Sequence, residues 1–337
     1  MGGIRGLWRL RRAYEALWRG SRRQADESVW HDVSRLALAV REMAETGVGT
    51  DECLKHKCLP MLVHFYSPVP DIEDLKARHV WDRRSAMAGI DMREDRQLEL
   101  LAEQGREFGQ ECRWPHDPTG DSSQFFTNNS GFSYGCAAAT HALLRKFKPR
   151  RVIEVGSGLS SRVIAAALRV NAEETGALAD YTVVDPFPAE ELERLPGLTR
   201  LIKQRAETLD IDVFEELGPN DILFVDSGHT VRIGGDVNFL ILDILPILVP
   251  GVIAHFHDIA LPYEYAEVYF TNARFRMFWT EAYLLQAFLC HNNAYEILLA
   301  MNFLMLDRTR EFRAAWPHYD PSIHRYVSHS FWIRRVR

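Results

Sequence analysis

The stretch Arg151-Val-Ile-Glu-Val-Gly-Ser-Gly158 decides how the rest of the chain reads. A short apolar run stops at glycine, and a helix-forming segment, Ser160 to Asn171, follows at once. A strand that ends in a glycine turn and enters a helix is the opening unit of a parallel sheet with helical crossovers. Outward from it the alternation repeats. Further strands are predicted at Tyr181–Asp185, Leu198–Gln204, Asp221–Asp226, Gly251–His257, Tyr295–Met301 and Ser330–Arg335. Helices are predicted between them at Asp210–Leu217, Asp236–Leu248 and Met277–His291.

Upstream the texture is different. Helical spacing runs through Ile4–Trp18, 29–45, Glu94–Phe108 and Tyr134–Phe147, and residues 114–131 read as a loop. In Phe65-Tyr-Ser-Pro-Val-Pro-Asp71 two prolines forbid a helix and favour extended or turn backbone. A mainly helical region over 1–130, covering the cleft and shaping an acceptor pocket, is therefore expected before an α/β domain over 131–337.

The chain has 337 residues, 47% hydrophobic and 26% charged, which excludes collagen-like and largely disordered classes. The longest apolar stretch, Phe239 to Val252, is interrupted by Asp243, Pro246, Pro250 and Gly251, so no transmembrane segment is predicted. Five cysteines form neither a disulfide framework nor a zinc pattern, which suits reduced thiols in a cytoplasmic protein. The net charge of -6 argues against nucleic-acid binding. Residues 1–23, however, carry seven arginines against Glu15. They are expected to form a helix that packs on its own domain, with weak peripheral membrane contact as the functional alternative. The oligomeric state is not legible.

In an open parallel sheet, ligands bind beyond the carboxyl ends of the strands. The acids and histidines fall there. Gly156, Ser157 and Gly158 offer a turn that a ligand approaches closely, ahead of a helix N-terminus. Ser160 stands where a dinucleotide site wants its third glycine. Glu154 and Asp185 instead suit a cationic amino group and ribose hydroxyls. Asp226 and His229, with His257 and Asp258 on the next strand, assemble two carboxylates and two imidazoles. That set suffices for a divalent cation at the two aspartates and a histidine base. His255 is expected on the opposite face from His257, as a core histidine. Tyr263, Tyr265 and Tyr269 are expected to wall an acceptor pocket, and Glu281 to be an exposed helix acid, with reach into the cleft as its alternative.

The Glu154-Val-Gly-Ser-Gly158 turn, the Val-Val-Asp185 strand end and the strand pattern resemble the class I S-adenosylmethionine-dependent methyltransferases. Asp226-Ser-Gly-His229, His255-Phe-His-Asp258, Phe65 to Pro70 and Phe132-Ser-Tyr-Gly135 bring the chain nearest to a bacterial Methyltransf_24-like subgroup. The resemblance implies a Rossmann-like sheet of order 3-2-1-4-5-7-6 and S-adenosyl-L-methionine as cofactor. It implies that Glu154, Gly156, Ser157 and Gly158 meet the methionine end, that Asp185 holds the ribose, and that Ser133 and Tyr134 close over it. Where many relatives place an acid or amide beside the adenine, this chain reads Gln204-Arg205-Ala206.

The cluster is similar to that of metal-dependent macrolide sugar O-methyltransferases. This implies a sugar or small-molecule hydroxyl as acceptor, with Tyr263 and Tyr265 against it. It also implies Mg²⁺ or another divalent cation at Asp226, His257 and Asp258, and His229 as base supported by Asp226 and His257. A nucleotide-dependent oxidoreductase on the same sheet, or a membrane- or partner-docking protein with a vestigial cofactor site, are the competing classes.

Overall fold

The computed structural model describes residues 27–272 and 276–337. The arginine-rich segment 1–23 and the helix expected at Ile4–Trp18 lie outside the described residues. Seven strands are present: β1 Arg151–Val155, β2 Asp180–Val184, β3 Arg200–Ile202, β4 Ile222–Val225, β5 Ile253–Phe256, β6 Tyr295–Ala300 and β7 Phe331–Arg335. They form one sheet in the order β3-β2-β1-β4-β5-β7-β6, as predicted. The first five are parallel, and β7 runs antiparallel between β5 and β6. Every residue of β4 and β5 is buried, because helices cover both faces of the sheet, and this is why β4 reads as an unbroken apolar run and β5 as one interrupted only by His255.

Helices α1 Glu27–Thr46, α2 Thr50–Lys55 and α3 Ile72–Ala77 precede α4 Glu94–Phe108 and α5 Tyr134–Phe147. The crossovers and the end of the chain supply α6 Leu159–Thr175, α7 Asp212–Glu215, α8 Asp236–Asn238, α9 Glu267–Thr271, α10 Glu281–Leu289, α11 Met301–Asp307 and α12 Thr309–Ala315. Two predicted helices are altered. The one expected at Asp236–Leu248 is α-helical only to Asn238, widens to a π-turn over Phe239–Ile244 and tightens to a 3₁₀ turn at Leu245–Ile247, around Pro246, which lacks the N–H a regular helix needs. The one expected from Met277 starts at Glu281, since Met277 N–H bonds back to Tyr269 O (2.8 Å) and Thr280 N–H to His229 O (2.9 Å).

The chain divides into two compact units, one ending at Arg78 and one beginning at His79. The expected boundary at 130/131 therefore moves upstream. Residues 79–130 belong with the sheet: α4 packs on β6, α5 and α12, and Ala300 N–H donates to Gln97 Oε1 at 2.7 Å. In the first unit the Phe65–Pro70 segment is non-helical, and Phe65 and Tyr66 are largely exposed. All five cysteines are free thiols. No described helix is long and apolar enough to cross a membrane.

Candidate active site

The strand ends are level. Gly156 N–H bonds Val184 O, Asp185 N–H bonds Ile202 O, Asp226 N–H bonds Val155 O and His257 N–H bonds Val225 O, all at 2.9–3.0 Å. Each chemistry-bearing residue thus sits just past the last rung of its strand, on the same edge of the sheet. A cleft of about 330 Å³ opens there, lined by Gly156, Ser157, Asp185, Phe187, Arg205 and Asp226 among others.

Gly156 is needed by the fold itself. Its φ is +83°, and a Cβ would fall 1.8 Å from Asp226 O, inside the neighbouring strand end. At Gly158 a Cβ would meet nothing within 4 Å. Beside it lies a smaller cavity of about 50 Å³ that Ser122 helps to line, so the 114–131 loop reaches the glycine turn, where Arg162 Nε–H donates to Ser122 O at 2.6 Å.

Asp185 faces the cleft as expected. Its Oδ2 accepts from Ser157 N–H (3.0 Å) and the Ser157 hydroxyl, and its Oδ1 from Phe187 N–H (2.7 Å). Glu154 does not line the cleft. It is fully buried beneath the turn, where the Ser160 hydroxyl (2.6 Å) and Tyr181 OH donate to its two oxygens. Burial lifts its pKa to about 7 against the opposing effect of those donors.

Ser133 and Tyr134 are likewise not at the cleft. Ser133 caps α5 and shares a hydrogen bond with Ser328 (3.0 Å). Tyr134 gives its hydroxyl to Cys112 O at 2.9 Å, and its ring stacks on His324. Both are buried core residues, since α5 carries its first turn inward. The sequence shows the Phe-Ser-Tyr-Gly pattern but not the direction in which it points.

Asp226, His229, His257 and Asp258 do converge. His229 Nε2 lies 3.3 Å from Asp226 Oδ1 and 3.7 Å from Asp258 Oδ2, and His257 Nδ1 lies 3.4 Å from each of those oxygens. Among the described residues, Asp226, His229 and Asp258 form a trio whose ligand atoms all fall within 4.8 Å, so His229 joins the aspartates beside the expected His257. His257 Nδ1 makes no well-directed hydrogen bond to a described residue. Two members hold left-handed backbone, His229 at φ 52° and Asp258 at φ 55°, conformations that cost energy in any residue with a side chain and gather at working sites.

Three further residues meet the cluster, and of these the sequence reading raised only Glu281, as the alternative to an exposed acid. His329 places Nδ1 3.6 Å from Asp258 Oδ1. Glu281, expected to be exposed, is 1% exposed and lies 2.9 Å from His229 Nδ1. Trp279, half-buried, sets its ring 4.7 Å from that of His229 and 4.8 Å from that of Tyr269.

The expected acceptor wall shifts accordingly. Tyr263 points away, its hydroxyl on Asp307 and its ring under Arg84. Tyr265 is core, accepting Ala282 N–H at 3.0 Å, while Tyr269 and Trp279 face the cluster. His255 shares a face with His257, as residues two apart on a strand must, and their ring centroids are 6.1 Å apart. It is a core histidine nonetheless, stacked on Phe224 and bonded to Ser330.

The ionisable groups of the cluster shift one another. Burial alone would depress His229, but hydrogen bonds to Asp226 and Glu281 outweigh it and carry its pKa to about 10. His257 is likewise held well above the usual histidine range: burial disfavours its charged form, and Asp226 and Asp258 more than compensate. Asp226 and Asp258 are held low by the same imidazoles, against burial. Without another cation, the two carboxylates are neutralised by imidazolium protons. The donor set, two carboxylates with an imidazole within 4.8 Å, fits a divalent cation that would take over that role.

Residues 153–259 match the Methyltransf_24 family, described as a methyltransferase domain. An uncharacterised protein of Archaeoglobus fulgidus is 29% identical over 169 residues, covering 47% of this chain and 74% of its own. Among solved structures, a Plasmodium falciparum putative protein-L-isoaspartate O-methyltransferase in complex with S-adenosyl-L-homocysteine is 13% identical, with a TM-score of 0.25, over 55% of this chain and 81% of that one. The matched segment, 153–259, is the part of the chain that carries the glycine turn, Asp185, Asp226, His229 and His257, and it is there that the chain is similar to a methyltransferase domain.

Proposed function

We propose that the chain transfers the methyl group of S-adenosylmethionine to a hydroxyl of a small molecule or sugar, with His229 as base. The observation that carries this reading is that Asp226 belongs to both halves of the site. It lines the cleft running from Gly156 to Asp185, and it also holds His229 Nε2 at 3.3 Å. A donor in the cleft and a hydroxyl at the cluster are then neighbours, and methyl transfer needs nucleophile, methyl carbon and sulfur in line. Such positioning is worth roughly 7–11 kcal/mol in favourable cases.

A hydroxyl is barely acidic at neutral pH, so its proton must leave as the new bond forms. A divalent cation held by the two aspartates would supply the positive charge that otherwise comes from the imidazolium proton, leaving His229 neutral. With its own proton displaced, His229 Nε2, which faces the cluster, is free to accept the hydroxyl proton, while Asp226 and Asp258 anchor the acceptor. Nε2 serves a cation or a proton, not both at once. Trp279 and Tyr269 offer the acceptor an aromatic wall.

The test uses radiolabelled S-adenosylmethionine with a panel of hydroxylated acceptors, before and after EDTA. His229→Ala is expected to lower turnover by about two to four orders of magnitude, with S-adenosylhomocysteine affinity unchanged. Chelation is expected to stop transfer and Mg²⁺ or Mn²⁺ to restore it. Full turnover in His229→Ala would defeat the base assignment, and full turnover after chelation would defeat the cation.

A further inference from the structure

The geometry points to Glu281 as a positioning residue that holds the His229 ring in one orientation, an inference that rests on the role proposed for His229. The two residues lie on different elements, the loop after β4 and the start of α10. At the main chain, His229 O accepts from Thr280 N–H (2.9 Å) and Glu281 N–H (3.2 Å), and Val231 N–H donates to the Thr280 hydroxyl (2.7 Å). The first N–H groups of a helix have no partner within it, so α10 spends two of them on the carbonyl of the residue it must orient. These bonds support His229 in its left-handed conformation.

At the side chain, His229 Nδ1 lies 2.9 Å from Glu281 Oε2, and an ionised carboxylate can only accept, which puts the proton on Nδ1. Only Nε2 then remains to face Asp226 and Asp258, 3.3 and 3.7 Å away. The Trp279 ring at 4.7 Å closes one side of the imidazole and hinders its rotation. Which nitrogen of a histidine is presented to chemistry is set by the hydrogen bond the other makes.

Glu281 has no evident structural reason to be an acid. It is 1% exposed, and its Oε1 has no hydrogen-bond partner among the described residues. Burying a carboxylate with half its acceptors unused costs stability that a glutamine or leucine would not forfeit in full. Its use is on His229.

The experiment compares wild type with Glu281→Gln, which keeps volume and an acceptor, and Glu281→Leu, which keeps only volume. Proton–nitrogen NMR of ¹⁵N-histidine protein, with His229 assigned by its loss in His229→Gln, is expected to show a slowly exchanging Nδ1 proton in wild type. That signal should persist in Glu281→Gln and vanish in Glu281→Leu. Calorimetry with S-adenosylhomocysteine, expected within about two-fold of wild type in both variants, certifies the fold. Methyl-transfer kcat should fall about 10- to 100-fold in Glu281→Leu, largely recovered in Glu281→Gln, with KM for the methyl donor unmoved. A protected Nδ1 proton that survives in Glu281→Leu, or is absent from wild type, overturns the inference. Absence of methyl transfer in wild type would defeat the proposed activity instead and leave the NMR outcome to decide the positioning.

Discussion

Ser157 gives Asp185 Oδ2 both its main-chain N–H, at 3.0 Å, and its hydroxyl. The carboxylate is thereby fixed at the cleft wall with lone pairs left over for a ligand's hydroxyls. Asp185→Ala is expected to weaken S-adenosylhomocysteine binding by about 1–3 kcal/mol, the cost of removing a charged acceptor from buried donors. Titration calorimetry reads this directly. Ser157→Ala should cost less, since Asp185 keeps the main-chain donor; unchanged affinity in Asp185→Ala would remove this residue from the cofactor site.

Gly156→Ala should destabilise the protein beyond the roughly 1–2 kcal/mol of positive φ alone, because the new methyl would overlap Asp226 O. Urea denaturation followed by circular dichroism measures it. An unchanged midpoint would mean that the turn between β1 and α6 is built differently.

Glu154 makes stability depend on pH. Its folded pKa of about 7 lies above the value of roughly 4.3 in an unfolded chain. A raised pKa gives stability that is complete below the unfolded value and is lost as pH climbs through the folded one. Relative to Glu154→Gln, the wild type should therefore lose stability, up to about 3 kcal/mol, between roughly pH 4 and 7. Parallel melting curves for the two proteins over that window would contradict the assignment.

Trp279→Ala removes the ring beside His229 without touching the cleft. If the acceptor rests on that wall, its KM should rise about 2- to 10-fold, the range of a lost ring contact of about 0.5–1.5 kcal/mol. S-adenosylhomocysteine affinity should hold. Steady-state kinetics with the acceptor varied distinguishes this from a general loss of activity.

The sheet was legible because its central strands are buried on both faces and their acids stand where pairing stops. Asp185, Asp226, His229, His257 and Asp258 could be placed from that rule alone. Direction was harder to read. Glu154 satisfies its oxygens beneath the turn through Ser160 and Tyr181, and the Tyr181 contact comes from a neighbouring strand that no local pattern exposes. Tyr134 turns inward because Cys112 O, far along the chain, offers its hydroxyl a partner. Glu281 was hidden by the helix start. A start at Glu281 places it at the helix N-terminus, where its N–H and its side chain both meet His229 in the loop after β4. The one signal available was the crowding of Trp279, Thr280 and Glu281 ahead of an apolar helix.

Because Asp226 closes the cleft on one side and grips His229 on the other, the two compartments share one negative charge. Whatever neutralises it from one side changes what the other side experiences. Thermodynamic linkage makes that influence mutual: a ligand in the cleft that alters affinity at the cluster must have its own affinity altered there by the same factor. Donor and acceptor binding are then expected to be cooperative rather than independent, and the sign of the cooperativity should follow the charge each brings to Asp226.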